Sequence, residues 1–323
     1  MDTFRHLSTA RAAAHVAAAL ALAFAPLPAA AQDAVIGDLP ALRAEALAEA
    51  NADRRENGLA ALVPGETLDA IAQDHARDML ARDYFAHASP DGDTVGDRFH
   101  AAGGARSEIV AENLGSCTGC PIPPGEARVA AFQEGWMESP GHRENLLRRG
   151  IDRFGFSIAA DPQSGRTVAV QTFAGPGVPR GLAAGETAEA LAPAQQVDAA
   201  RAAVNARRGE ADVGALEAAP ALSEAARALL PEDGGAGEPP DLDLAAALPE
   251  GARRGLGAIA LLAASCTGCG AEPTAADIEE FIAQWARSRA DTLADPAFDR
   301  LGFAMGADGA GAKTAVLVLG AAR

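Results

Sequence analysis

The sequence is poor in positive charge and in cysteine, and it has no long apolar run after its first residues. Its 323 residues hold 27 Lys and Arg against 44 Asp and Glu, a formal net charge of −17. A nucleic-acid partner needs clustered cations to meet its phosphates, so this balance argues against one. Beyond that, acidity helps keep a protein soluble and says little more. There is no HExxH motif and no G-x-S-x-G elbow, so two familiar signatures of zinc and serine hydrolases are missing. No segment beyond the N-terminal region approaches the ~20 apolar residues that span a bilayer.

The N-terminal region reads as an export signal. Arg5 and Arg11 give a positive start, Ala12 to Phe24 are almost wholly apolar, and Ala29-Ala30-Ala31 offers small residues for cleavage. Cleavage is expected after Ala31, making residues 1–31 the signal. Pro26 and Pro28 break the run before it could anchor the chain. No cysteine stands directly after the cleavage region to take a lipid, so no membrane anchor is expected after processing. The mature chain is long enough for two domains at about 150 residues each.

The chain contains itself twice. Cys117-Thr-Gly-Cys120 recurs as Cys266-Thr-Gly-Cys269, with Ser116 matching Ser265, Phe132 matching Phe281, Trp136 matching Trp285 and Ser139 matching Ser288. Asp152-Arg-Phe-Gly-Phe156 returns as Asp299-Arg-Leu-Gly-Phe303, and the final strand as Thr167 to Phe173 and Thr314 to Leu319. Upstream, Asn51 to Arg55 resembles Asn205 to Arg208, and Leu62 and Leu68 match Leu216 and Leu222. We read a tandem duplication: a first copy over 40–175, a linker over 176–196 rich in Gly, Pro and Ala, and a second copy over 197–323. The repetition is unequal. Glu112, Asn113, His142 and His75 fall opposite Leu261, Leu262, Asp291 and Leu229, and His87 has no clear counterpart. Polar groups dropped while Trp, Phe and Gly persist were not needed for the fold, which points to a site in the first copy alone.

The periodicity predicts helices over Ala41–Glu56, from a Thr67 cap onward, and over Ala127–Met137. The second has an inward stripe of Leu68, Ile71, Ala72, His75 and Met79; His75 there reads as a packing residue. Val110–Leu114 reads as a short strand. Phe154–Ala160 and Arg166–Phe173 read as a hairpin around Asp161–Gly165. Helices on both sides of such a sheet make an α+β, α-β-α sandwich.

Three polar residues stand out. His87 lies between an aromatic pair and Ser-Pro-Asp-Gly, a turn sequence. Glu112 interrupts an apolar strand, where a carboxylate needs a partner; a bond to nearby backbone would also satisfy it. His142 comes after Pro140-Gly141 at a helix start, where it could serve a site or only pack. Two neutral imidazoles and a carboxylate can hold Zn²⁺ with a position left open. Asn145 is expected to bond within its helix, Trp136 to be core, and Ser139 to cap or turn rather than act as a nucleophile. Each C-x-x-C reads first as a local disulfide, Cys117–Cys120 and Cys266–Cys269; a redox pair, or a zinc site or bridge joining the copies, are the alternatives.

In this order, the segments Phe85-Ala-His87-Ala-Ser-Pro-Asp-Gly92, Glu112-Asn-Leu114 and Trp136-Met-Glu-Ser-Pro-Gly-His142-Arg-Glu-Asn-Leu-Leu147 resemble the CAP superfamily. It groups cysteine-rich secretory proteins, insect venom antigens and pathogenesis-related proteins. The resemblance covers about residues 45–175. It implies the same α-β-α sandwich, an exported protein, and a cavity with two histidines and two acids. His87, Glu112 and His142 match three of these. Where eukaryotic members place the fourth, a glutamate, this chain has Ser139, and Glu138 is the nearest substitute. The family includes lipid and sterol binders, toxins, defence proteins and proposed proteases, so the resemblance fixes no activity. Three readings are open. One is a non-catalytic module binding a divalent metal such as zinc, with a lipid or cell-envelope ligand. The second is a hydrolase using His87, Glu112 and His142. The third is a protein-interaction module using the second copy.

Overall fold

The computed structural model describes residues 34–182, 186–235 and 244–323; the expected signal, 1–31, lies outside them. The chain builds two four-stranded sheets, and each is covered by helices.

In the first half, α1 (Leu39–Glu56), β1 (Val63–Pro64), α2 (Glu66–Ala81), α3 (Val95–Ala101), β2 (Ile109–Thr118), α4 (Glu126–Glu138), α5 (Pro140–Leu146), β3 (Arg153–Asp161) and β4 (Arg166–Gly175) succeed one another. The strands lie in the order β1-β3-β4-β2, so β2 is an edge strand. Neighbours in the long part of the sheet are antiparallel, and β1 pairs with β3 in parallel. β4 alternates strictly. Ala169 and Phe173 pack with Leu42, Val129, Trp136 and Leu146 of α1, α4 and α5. Val168 and Val170 pack with Ala72, Ala76 and Met79 of α2. A strand covered on both faces explains why its apolar run lacks a polar side.

Helix α2 begins at Glu66 after Gly65 and has no side-chain cap, so the expected Thr67 cap is corrected. The stripe on α2 is otherwise as expected, and His75 is buried in it. Helix α3 was not anticipated. Thr94 and Asp97 close a full capping box at its start, a pattern legible in the sequence. Strand β2 runs past the expected Leu114 to Thr118, because all ten of its residues pair with β4.

The second half repeats the plan. After α6 (Pro193–Glu210), β5 (Glu217–Ala218), α7 (Pro220–Ala228), α8 (Leu244–Ala247), α9 (Glu250–Gly255), β6 (Leu256–Cys266), α10 (Ala275–Ser288), α11 (Ala290–Leu293), β7 (Arg300–Ala307) and β8 (Lys313–Ala322), the sheet order is β5-β7-β8-β6. Particular contacts recur as well. Asn51 brackets Leu62 through its N–H and carbonyl at 2.7 and 3.0 Å, and Asn205 brackets Leu216 at 2.8 and 3.0 Å. Buried Arg54 donates to the Ala60, Leu146 and Arg148 carbonyls; buried Arg208 donates to those of Gly214, Leu293, Asp295 and Phe298. A Cβ on Gly155 would lie 2.3 Å from the Leu68 backbone, and one on Gly302 2.1 Å from that of Leu222. The pairing corrects one alignment. Phe173 opposes Phe154 and Leu319 opposes Leu301, so the second hairpin is one residue shorter and Thr167 corresponds to Lys313 rather than Thr314.

Both C-x-x-C elements are local disulfides, Cys117–Cys120 and Cys266–Cys269, and no cysteine among the described residues is free. The halves touch through the second of these turns. The Gly268 N–H donates to the Ser107 carbonyl and the Gly270 N–H to that of Pro176, while Ser107 Oγ reaches Asp308 at 2.6 Å. The connecting segment is also tied to the second half, through Arg180 N–H to Asp277 and Leu191 N–H to Pro273.

Candidate functional site

Because β2 is an edge strand, chain from either face of the sheet can meet around it. The α2–α3 connection brings His87 from one face, and α5 brings His142 from the other. Alternation along β2 aims Glu112 at the α2/α3 side and Asn113 at the α4/α5 side.

Glu112 is the anchor. Its side chain is 1% exposed. Its Oε1 meets His87 Nδ1 at 2.9 Å, and its Oε2 accepts from Arg98 at 2.7 Å. Arg98 also donates to the His87 and Asp93 carbonyls at 3.2 and 2.9 Å, so it holds the histidine's backbone as well as the carboxylate that meets its ring. The expectation that Glu112 needs a partner is met by two. The His87 ring remains 60% exposed. The hydrogen bond to Glu112 raises the His87 pKa against the effect of burial. His142 is half-buried, and its pKa is lowered, first by burial and then by the charge of His87.

Behind Glu112 lies His75, its Nε2 3.9 Å from Oε1. The ring bonds the Ala86 carbonyl at 3.0 Å and the Tyr84 hydroxyl at 3.3 Å. Tyr84 in turn donates to Asp78 at 2.5 Å, and its pKa is pushed up to about 12 by burial and by that carboxylate. Burial pushes the His75 pKa down. The packing role read from the sequence is therefore incomplete: His75 also fixes the loop that presents His87.

The structure also places Glu138, Asn145 and Ser139. Glu138 is exposed and lines a groove of about 390 Å³ with Glu49, Asp53, Gln133 and Arg143; none of His87, Glu112 and His142 lines it. Asn145 does not bond within α5 but donates to the Glu112 carbonyl and to Asn113 Oδ1, both at 3.1 Å. Ser139 stands where α4 ends and α5 begins, so it serves the turn, but its side chain makes no capping bond. Trp136 is core, as expected, and its indole donates to the Leu114 carbonyl at 2.9 Å. Sequence reasoning missed Arg98, whose only signal was its place in the Thr94 capping box helix.

The donor chemistry does not suit the three-ligand zinc set of His87, Glu112 and His142. Both Glu112 oxygens are engaged, one by a guanidinium whose charge opposes a nearby dication. Among the described residues no three His, Cys, Asp or Glu side chains are grouped as a metal would require. What does fit is a different division of labour, in which a buried carboxylate orients an imidazole by its Nδ1–H and leaves Nε2 as the donor.

Residues 47–173 match the family model for CAP, the cysteine-rich secretory protein family. These residues form a CAP domain. Among curated proteins, the chain is 32% identical over 107 residues to the uncharacterized protein YkwD of Bacillus subtilis. The match covers 32% of this chain and 37% of that relative's length. An outer surface protein of Borrelia burgdorferi is 22% identical, with 40% of this chain and 88% of that one covered, at a TM-score of 0.34. An extracellular protein of Bacillus anthracis containing an SCP domain is 26% identical, with 42% and 40% covered, also at 0.34. His87, Glu112 and His142 all fall inside the CAP domain. No helix among the described residues is long and apolar enough to cross a membrane.

Proposed function

We propose that the CAP domain is the non-catalytic binding module of an exported protein, with His87 and His142 as its contact pair. The observation that supports this most is the clamp on Glu112. A carboxylate with both oxygens engaged is poorly placed to act as a general base or a metal ligand, yet it is well placed to hold an imidazole. The pair would take a divalent metal such as Zn²⁺ through ring nitrogens, leaving the remaining positions for water or for a lipid, cell-envelope or protein ligand. Bound zinc would supply Lewis acidity there. The chain's own part is to orient His87 through Glu112 and to keep His142 neutral by burial.

Export is supported by the N-terminal signal pattern and by two disulfides, which persist in oxidising compartments. The second half is, in this reading, a degenerate copy that keeps the folding residues and has lost the contact pair. The test is zinc titration calorimetry on the exported protein beside the His87→Ala/His142→Ala variant. One saturable site, absent in the variant, is the expected result. Equal uptake by both proteins, or none by either, removes the metal from the proposal.

A further inference from the structure

A line of polar side chains crosses the first half from half-buried Asp53 on α1 to the site. Asp53 Oδ2 accepts from Gln133 Nε2 at 2.5 Å, and Gln133 Oε1 accepts from Gln171 Nε2 at 2.7 Å. Gln171 Oε1 accepts from Asn113 Nδ2 at 3.2 Å. The second hydrogen of Asn113 Nδ2 reaches the His142 carbonyl at 3.1 Å, while Asn113 Oδ1 accepts from Asn145. Asn113, Gln133 and Gln171 are all buried.

Donor and acceptor counting fixes every amide in this line. The Asp53 carboxylate and the His142 carbonyl can only accept, so each must face an amide nitrogen. Turning over any of the three amides would set oxygen against oxygen inside the core. The line therefore has one arrangement, and its end is the backbone of His142.

The second half supplies an internal control. By strand register and helix alignment, Asn113, Gln171 and Gln133 correspond to Leu262, Leu317 and Ile282, and Asp53 to Arg207. The same fold is thus built with buried apolar side chains at the three amide places, in the half where Asp291 stands opposite His142. Buried polar groups that the fold does without, and that end on a site residue, need another reason to be there.

We propose that Asn113, Gln171, Gln133 and Asp53 are positioning residues for His142, with the line serving the binding pair rather than the stability of the sheet. This rests on the reading of His87 and His142 as that pair. The test converts the first half to the second in the full chain: Asn113→Leu, Gln133→Ile and Gln171→Leu together. Replacing hydrogen-bonded partners jointly by apolar groups can be nearly neutral, so the unfolding midpoint should stay near that of the wild type. Zinc affinity should fall by about tenfold or more, the usual effect of losing an outer-shell partner. The ring signals of His142 in the metal-free protein, assigned against His142→Ala, should move.

A folded triple variant with wild-type affinity and unmoved His142 signals overturns the proposal. If the wild type binds no zinc, the functional reading fails, and the metal-free ring signals still decide this one. If the triple variant does not fold, Asp53 decides. Asp53→Asn keeps an acceptor and should retain the His142 signals, whereas Asp53→Leu should shift them; identical spectra for both overturn the proposal.

Discussion

Replacing Glu112 by glutamine tests the clamp at its centre. The change keeps the shape and removes the charge, so one amide must serve two donors, His87 and Arg98. The Arg98 side chain is only 14% exposed, and it loses a charged partner at 2.7 Å. Stripping one partner from a buried pair costs about 3–5 kcal/mol. Arg98 keeps two carbonyl acceptors, which brings the expected loss down to about 2–3 kcal/mol. His87 adds little, because its ring is mostly in water. Urea denaturation of Glu112→Gln beside the wild type measures the difference.

The loss should also depend on pH. The folded-state pKa of His87 is raised by Glu112. Its contribution is therefore complete below the unfolded value, ~6.5, and disappears as pH rises through the folded value. His75 and His142 have the opposite sign: their lowered values make them cost stability as pH falls below ~6.5. The wild-type advantage over Glu112→Gln should accordingly be larger at pH 5 than at pH 8. A variant within about 0.5 kcal/mol of the wild type at both pH values would refute the buried clamp, since that is the range of an inconsequential surface change.

Other substitutions probe the rest of the account. Gly302→Ala sets a Cβ 2.1 Å from the Leu222 backbone and should cost at least about 2 kcal/mol in thermal or urea unfolding through overpacking. Arg208→Ala leaves the Leu293, Asp295 and Phe298 carbonyls without their donor and should cost about 3 kcal/mol or more in the same assay. Ser139→Ala removes a hydroxyl that caps no helix; its unfolding midpoint should match the wild type within about 0.5 kcal/mol, and zinc binding should be unchanged.

Much of the fold was legible because both halves spend their apolar residues on it. The stripe of α2, the β3–β4 hairpin and the core tryptophans keep periodicities that recur in the second half, although its polar residues differ. The site was legible in part. His87, Glu112 and His142 sit in turn, strand and helix-start contexts that packing alone does not explain. Arg98 was hidden because a surface-type arginine on a short helix looks like solvated charge until its fork meets a buried carboxylate. Asn145 was misjudged for a related reason. Local spacing says which helix face a residue occupies, but not which strand the face meets, and β2 passes Asn145.

Diffraction from crystals soaked in zinc, recorded at the zinc absorption edge, tests the central claim most directly. The account predicts an anomalous peak held by His87 Nε2 and a ring nitrogen of His142, with the Glu112 oxygens still on His87 Nδ1 and Arg98. A peak coordinated by the Glu112 carboxylate, or no peak beside His87, would contradict it.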